Sequence, residues 1–301
     1  QKQMIKPKAL VPGDLIYITA PAKAIENTFV DYAVDFFNNQ GFRVVVSPNC
    51  TGKFGYFSGS DHERTMDLQS GIDNEEVKAI ICARGGYGSI RILDSLNWAA
   101  MLRQPKWLVG FSDITVFHHR LFNLGIQSIH GTMPINYMSN SSEALQTLMD
   151  SLCGREIKIS YPTTNSAKHG RAEGTLIGGN LSIIYSLLAT KDSFQFKDAI
   201  LFIEDLSEQL YHLDRMLFAL KKAGVFDLIK GLIIGGMTDM EDTTDSIGLS
   251  VHDIILQHFN FSKIPIAFDF PCGHFEDNRA MIIGANVLFS VSKEEIQLTY
   301  L

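Results

Sequence analysis

Residues 106–113 read Lys106-Trp107-Leu108-Val109-Gly110-Phe111-Ser112-Asp113. An apolar run ends at a glycine, turns through a serine and enters a stretch at 113–123 with helical spacing. A buried strand that turns tightly into a helix is half of a βαβ unit. The same rhythm runs upstream. LIYIT at 15–19 is entered through Pro12-Gly13-Asp14. A helix is expected at 26–40, where Phe29, Val30, Ala33, Phe36 and Phe37 share a face and Gly41 ends it. RVVVS at 43–47 and AIICA at 79–83 read as the second and third strands, with a polar helix at 61–70 between them. KWLVG at 106–110 is the fourth strand, and 127–130 opens a fifth. Continuous apolar strands separated by helices indicate a parallel sheet covered on both faces, so the expected class is α/β.

Residues 151–172 break this rhythm. They are polar and turn-rich, and read as a linker with one short strand. Beyond it come a helix at 180–189, a strand at 199–203, a helix at 207–223, a strand at 231–234 and a helix near 251–259. Short strands follow around 264–268, 281–284 and 287–291, and look antiparallel. The expected domains are 1–152 with a parallel sheet and 173–301 with a smaller mixed α+β fold, joined by 153–172.

Composition narrows the function classes. The chain has 301 residues, 46% hydrophobic and 20% charged, which suits a folded globule and excludes a disordered chain. Four cysteines in that length exclude a disulfide-stapled miniprotein, and none form a CxxC pair. The net charge of −7 with no Lys/Arg run argues against a nucleic-acid partner. No apolar run is long enough for a membrane span. No apolar leader opens the chain, which favours the cytoplasm. A start at Gln1 would equally follow removal of a leader, which would make the protein periplasmic.

In open parallel sheets ligands gather at the carboxyl ends of strands. Those ends carry Arg84-Gly85-Gly86-Tyr87-Gly88, Phe111-Ser112-Asp113, Glu204-Asp205 and Gly235-Gly236. Gly110-Phe111-Ser112-Asp113 approximates a nucleophile elbow, although Ile114 stands where G-x-S-x-G has its last glycine. The bland alternative is that Ser112 or Asp113 only caps the helix. A serine nucleophile needs a base and an acid to orient it. Of nine histidines, His130 ends a strand before Gly131, and His274 lies in a Pro- and Gly-flanked loop after an apolar strand. The others sit in polar or helical segments. Glu204 ends a buried strand, where it either caps the next helix or orients a histidine. The order Ser112, Glu204, His274 matches several α/β hydrolases. The backbone amides of Gly86 and Asp113 are the candidate oxyanion donors. The Gly-rich loop does not complete G-x-G-x-x-G, because Arg91 stands where Gly is wanted. There is no Walker A, no HExxH and no Cys/His metal spacing.

Together these motifs resemble the LD-carboxypeptidase family of serine peptidases, which includes the microcin C self-immunity hydrolases. The likeness spans Pro12-Gly13-Asp14, Arg84–Gly88, Gly110–Asp113, His130-Gly131, Gly178-Gly179-Asn180-Leu181, Glu204-Asp205 and Gly273-His274. It implies a flavodoxin-like N-terminal domain carrying Ser112, and a C-terminal domain supplying Glu204 and His274 across a cleft. It implies no metal and no organic cofactor. The implied reaction cuts the L,D amide bond to terminal D-Ala in a murein tetrapeptide, in cytoplasmic cell-wall recycling, often by a homodimer. Two departures stand out. Thr132-Met133 follows Gly131 where relatives often place Pro, and Glu276-Asp277 bring two acids after His274. Glu276 bears on which substrate end is tolerated, and Arg84 is a candidate partner for a terminal carboxylate. The rival readings are a hydrolase of a peptidyl-nucleotide antibiotic, for which Tyr87 or Trp98 would stack on the base, and a non-catalytic Rossmann-like binding protein.

Overall fold

The structure is a computed structural model and describes residues 3–301. In chain order its strands are β1 (Leu15–Thr19), β2 (Arg43–Val46), β3 (Val77–Cys82), β4 (Trp107–Gly110), β5 (Ser128–His130), β6 (Lys158–Pro162), β7 (Gly170–Asn180), β8 (Ala199–Leu206), β9 (Gly231–Thr238), β10 (Ile266–Ala267), β11 (Met281–Ile283), β12 (Asn286–Val291) and β13 (Glu295–Tyr300). They form two sheets, and the chain divides into two compact units.

The first unit comprises Gln1–Glu156 and Glu276–Ile282. Its sheet runs β11-β5-β4-β3-β1-β2. The pairs β1/β2, β1/β3, β3/β4 and β4/β5 are parallel. The order 2-1-3-4-5 is that of flavodoxin-like sheets. Ile16, Ile18, Ile80, Ile81, Leu108 and Val109 are fully buried, as strands covered on both faces require. The helix expected at 26–40 spans Asn27–Asn39 and buries Val30, Ala33 and Phe37. Because β3 and β4 are parallel neighbours, Arg84–Gly88 and Phe111–Asp113 leave the sheet at the same edge, side by side.

The second unit comprises Ile157–Phe275 and Ile283–Leu301. Its sheet runs β10-β9-β8-β7-β12-β13-β6. From β7 to β10 the pairing is parallel, with helices Leu181–Ser186, Leu210–Lys222 and Val251–Leu256 as the connections. From β7 to β6 it is antiparallel. This half therefore joins a parallel core to an antiparallel edge, the mixed fold expected. The unit boundary falls between residues 156 and 157, so the stretch expected as a linker holds β6 and the start of β7. In β6, Ile159 is buried while its neighbours Lys158 and Ser160 are exposed, a short alternation that polar neighbours mask. Gly178 and Gly179 belong to the end of β7. A Cβ on Gly178 would lie 1.9 Å from the Phe202 carbonyl oxygen, so only glycine lets β7 and β8 approach here.

Candidate active site

Ser112 follows β4 with φ of 62°, a left-handed conformation that costs an L-residue about 1–2 kcal/mol. It opens a 3₁₀ turn, Ser112–Ile114, that runs into the helix Thr115–Leu124. Strain of this kind is kept where the surrounding structure demands it. The demand comes from two sides. Gly110 passes so close to the turn that a Cβ there would sit 2.8 Å from the Ile114 side chain. Gly85 lies against the turn from β3: its Cβ would be 3.2 Å from both the Asp113 nitrogen and the Ser112 Cβ. The backbone N–H of Asp113 thus sits at the start of a helical segment, where the peptide dipoles favour negative charge.

The Asp113 side chain has a separate task. Its Oδ2 accepts a hydrogen bond from the Ser89 backbone N–H at 2.8 Å, tying the serine turn to the segment after Gly88. Burial raises its pKa, and the Ser89 bond works against that rise. Gly86 and Gly88 are both left-handed, with φ of 95° and 137°. The buried Arg64 holds this loop, donating from Nη1 to the Pro21 and Gly88 carbonyls at 2.6 and 3.0 Å.

In the second unit, Glu204 lies at the carboxyl end of β8 and is fully buried. The His274 Nδ1–H donates to Glu204 Oε2 at 2.6 Å. Burial alone would lower the His274 pKa, but the charge of Glu204 and this hydrogen bond outweigh it and raise the pKa. With Nδ1 holding its proton toward the carboxylate, the basic nitrogen of the neutral ring is Nε2. The loop bearing His274 is pinned tightly. Gly236 N–H donates to the Cys272 carbonyl at 2.8 Å, and the Thr238 hydroxyl donates to the His274 carbonyl at 2.8 Å. Gly273, with φ of 119°, packs on the acid; a Cβ there would sit 2.9 Å from the Glu204 Cβ.

The sequence left open what Glu204 and its neighbour Asp205 each do. A register shift against β9 falls between Ile203 and Asp205, and both acids are buried. Asp205 is taken by the helix before β8, Leu181–Ser186: it accepts from the Ser182 N–H at 2.9 Å, from the Ser182 hydroxyl at 2.6 Å and from Asn180 Nδ2 at 3.1 Å. Glu204 bonds the histidine instead, and the helix after β8, Leu210–Lys222, has Gln209 at its N-cap.

Three side-chain roles are not legible in the sequence: Asp113 anchors the loop, Asp205 anchors the helix Leu181–Ser186, and His118 braces the serine turn. The fully buried His118 Nε2 bonds the Gly110 carbonyl at 2.7 Å, and its Nδ1 bonds the Ser128 hydroxyl at 2.7 Å. A carbonyl only accepts, so Nε2 carries the proton and Nδ1 accepts from Ser128. Burial lowers the His118 pKa to about 3, so the ring stays neutral. His130 is buried and packs edge-on against Phe111. Trp98 is buried against Phe117, whereas Tyr87 is half exposed beside Phe57. Among the described residues no group of three or more His, Cys, Asp and Glu could hold a metal ion.

Comparison with known proteins places both halves of the chain in one family. Residues 16–131 match the model of the LD-carboxypeptidase N-terminal domain, and residues 173–289 that of the C-terminal domain. A Bacillus subtilis protein named a probable murein peptide carboxypeptidase is 30% identical over 96% of this chain and 92% of its own. The murein tetrapeptide carboxypeptidase of Pseudomonas aeruginosa is 26% identical over 89% of this chain and 91% of its own. Among solved structures, muramoyltetrapeptide carboxypeptidase from Oxalobacter formigenes has a TM-score of 0.87 at 26% identity, covering 95% of this chain and 98% of that one.

Proposed function

Since this chain belongs to the LD-carboxypeptidase family, we propose that it is a serine peptidase that removes the terminal D-Ala from murein tetrapeptides, with Ser112, His274 and Glu204 as its catalytic set. The observation that carries this is the buried Glu204 bonded to His274 Nδ1 at 2.6 Å, a base already oriented and held in one tautomer. Support from the other unit is the strained Ser112 beside the Gly-rich loop.

Ser112 Oγ attacks the carbonyl carbon of the L,D amide while His274 Nε2 takes its proton. The oxyanion is held by the amides of Gly86 and Asp113. Collapse of the tetrahedral intermediate breaks the C–N bond, and the imidazolium returns the proton to the leaving amine of D-Ala. Water, deprotonated by His274, then hydrolyses the ester and frees the tripeptide and Ser112. Glu204 stabilises the imidazolium in both halves. The proposed setting is cytoplasmic peptide recycling, by a homodimer; no helix among the described residues is long and apolar enough to cross a membrane. The test is incubation with purified tetrapeptide, following D-Ala by mass spectrometry. Wild type should release it and Ser112→Ala should not; equal release by both would reject the serine mechanism.

A further inference from the structure

A cleft of about 580 Å³ opens in the first unit between the segment after β1 and the end of β3. In a sheet of order 2-1-3-4-5 this is where the strand order reverses, the place such sheets use to bind ligands. Its lining includes Lys23, Glu26, Lys53, Tyr56, Arg84 and Ile135. Three cations and one carboxylate make it a place for an anion.

Arg84 is the group with unmet demand. Its Nη1 donates to the Ala24 carbonyl at 3.2 Å, while its Nε is buried without a hydrogen-bond partner among the described residues. A guanidinium N–H kept from water in this way calls for an acceptor, and a carboxylate matches its fork with two oxygens.

The cleft is continuous with the chemistry. A Cβ on Gly86 would lie 2.7 Å from the Tyr56 hydroxyl and 2.8 Å from the Lys23 Cβ, so the cleft wall presses on this loop. One residue earlier, Gly85 packs on Ser112. Arg84 stands two residues before Gly86, a chain distance of at most about 7 Å. In the residue a carboxypeptidase releases, the carboxylate lies only two bonds beyond the scissile nitrogen. We infer that this cleft is the subsite for the terminal carboxylate of the released residue, with Arg84 as its principal partner and Lys23 and Lys53 supplying supporting charge. The assignment rests on the carboxypeptidase reading above.

The test compares a tetrapeptide with a free D-Ala carboxylate against the same peptide ending in D-alaninamide. The quantity read is the acid-to-amide ratio of kcat/KM, which does not depend on the fraction of protein folded. Wild type should favour the acid by about tenfold or more, the size expected of a charge-assisted hydrogen bond. Arg84→Gln should bring the ratio close to one, mainly by raising KM for the acid, and Arg84→Lys should recover part of it. Lys53→Gln should lower it less. A ratio near one in wild type, a wild-type ratio in Arg84→Gln, or equal losses on both substrates in that variant would overturn the assignment. If wild type releases neither D-Ala nor D-alaninamide, the carboxypeptidase reading fails first and takes this subsite with it. That outcome is read from wild type alone, so the two failures are distinct.

Discussion

Gly85→Ala separates catalysis from folding. Gly85 is not among the left-handed glycines, so alanine adopts its backbone without strain. The added methyl meets the Asp113 nitrogen and the Ser112 Cβ at 3.2 Å each, and the Phe111 carbonyl oxygen at 3.4 Å. Ordinary contact begins at 3.4 Å, so the serine turn must retreat by at least about 0.2 Å. Useful oxyanion donors span a window of only about 0.4 Å, from roughly 2.7 to 3.1 Å. The shift therefore uses about half of that window. Losing a donor outright costs about 10²–10³ in kcat. A partial loss near tenfold, about 1.4 kcal/mol in the barrier, is the expected effect. Stability should change little, because the reduced freedom of the unfolded chain offsets the tight contact by about 0.4–1 kcal/mol. The assay is kcat for D-Ala release beside the thermal midpoint by circular dichroism. A preserved midpoint with wild-type kcat would show that the amide of Asp113 does not hold the oxyanion.

Glu204→Gln should lower kcat by about 10⁴-fold and move the acid limb of kcat/KM to lower pH. The Glu204 charge holds the His274 pKa above its usual value, and without it the lowering effect of burial dominates; an unmoved limb in the pH profile would contradict this. His118 should make the protein acid-sensitive. The unfolded chain protonates it near its usual pKa of about 6.5, and the folded chain only near about 3. Its contribution is thus fully present above that unfolded pKa and declines as pH falls toward 3, by up to about 1.4 kcal/mol per pH unit. Urea midpoints at pH 7 and pH 5 should differ less in His118→Gln than in wild type. Gly178→Ala should fail to give a folded second unit, because its Cβ overlaps the Phe202 carbonyl; a soluble variant with the wild-type circular dichroism spectrum would refute that.

The legible parts of the sequence were those where one residue type has few other uses. Apolar strands that end in glycine or serine gave the parallel sheet, and Ser112 stood out because its strand meets its helix with no loop between. The two acids Glu204 and Asp205 were not separable. Alternation along a strand puts neighbours on opposite faces, and only the hydrogen bonds of Ser182 and Asn180 show which acid serves the helix. The return of β11 to the first sheet is invisible in the sequence, since three apolar residues, Met281–Ile283, carry no information about their partner strand. The helix Ser142–Leu152 lies outside the expected elements, although Ser141 caps it, accepting from the Ala144 N–H at 3.1 Å. Arg84 lines a cleft beside the Gly-rich loop, a location that no pattern in the sequence supplies.

The central claim is that His274 activates Ser112. It is tested most directly by labelling with a fluorophosphonate, which reacts with activated serines, followed by peptide mapping. Wild type should carry the label on Ser112, tetrapeptide should protect against it, and His274→Ala should lose it. Labelling of Ser112 at the wild-type rate in His274→Ala, or labelling of wild type at a different serine, would contradict the claim.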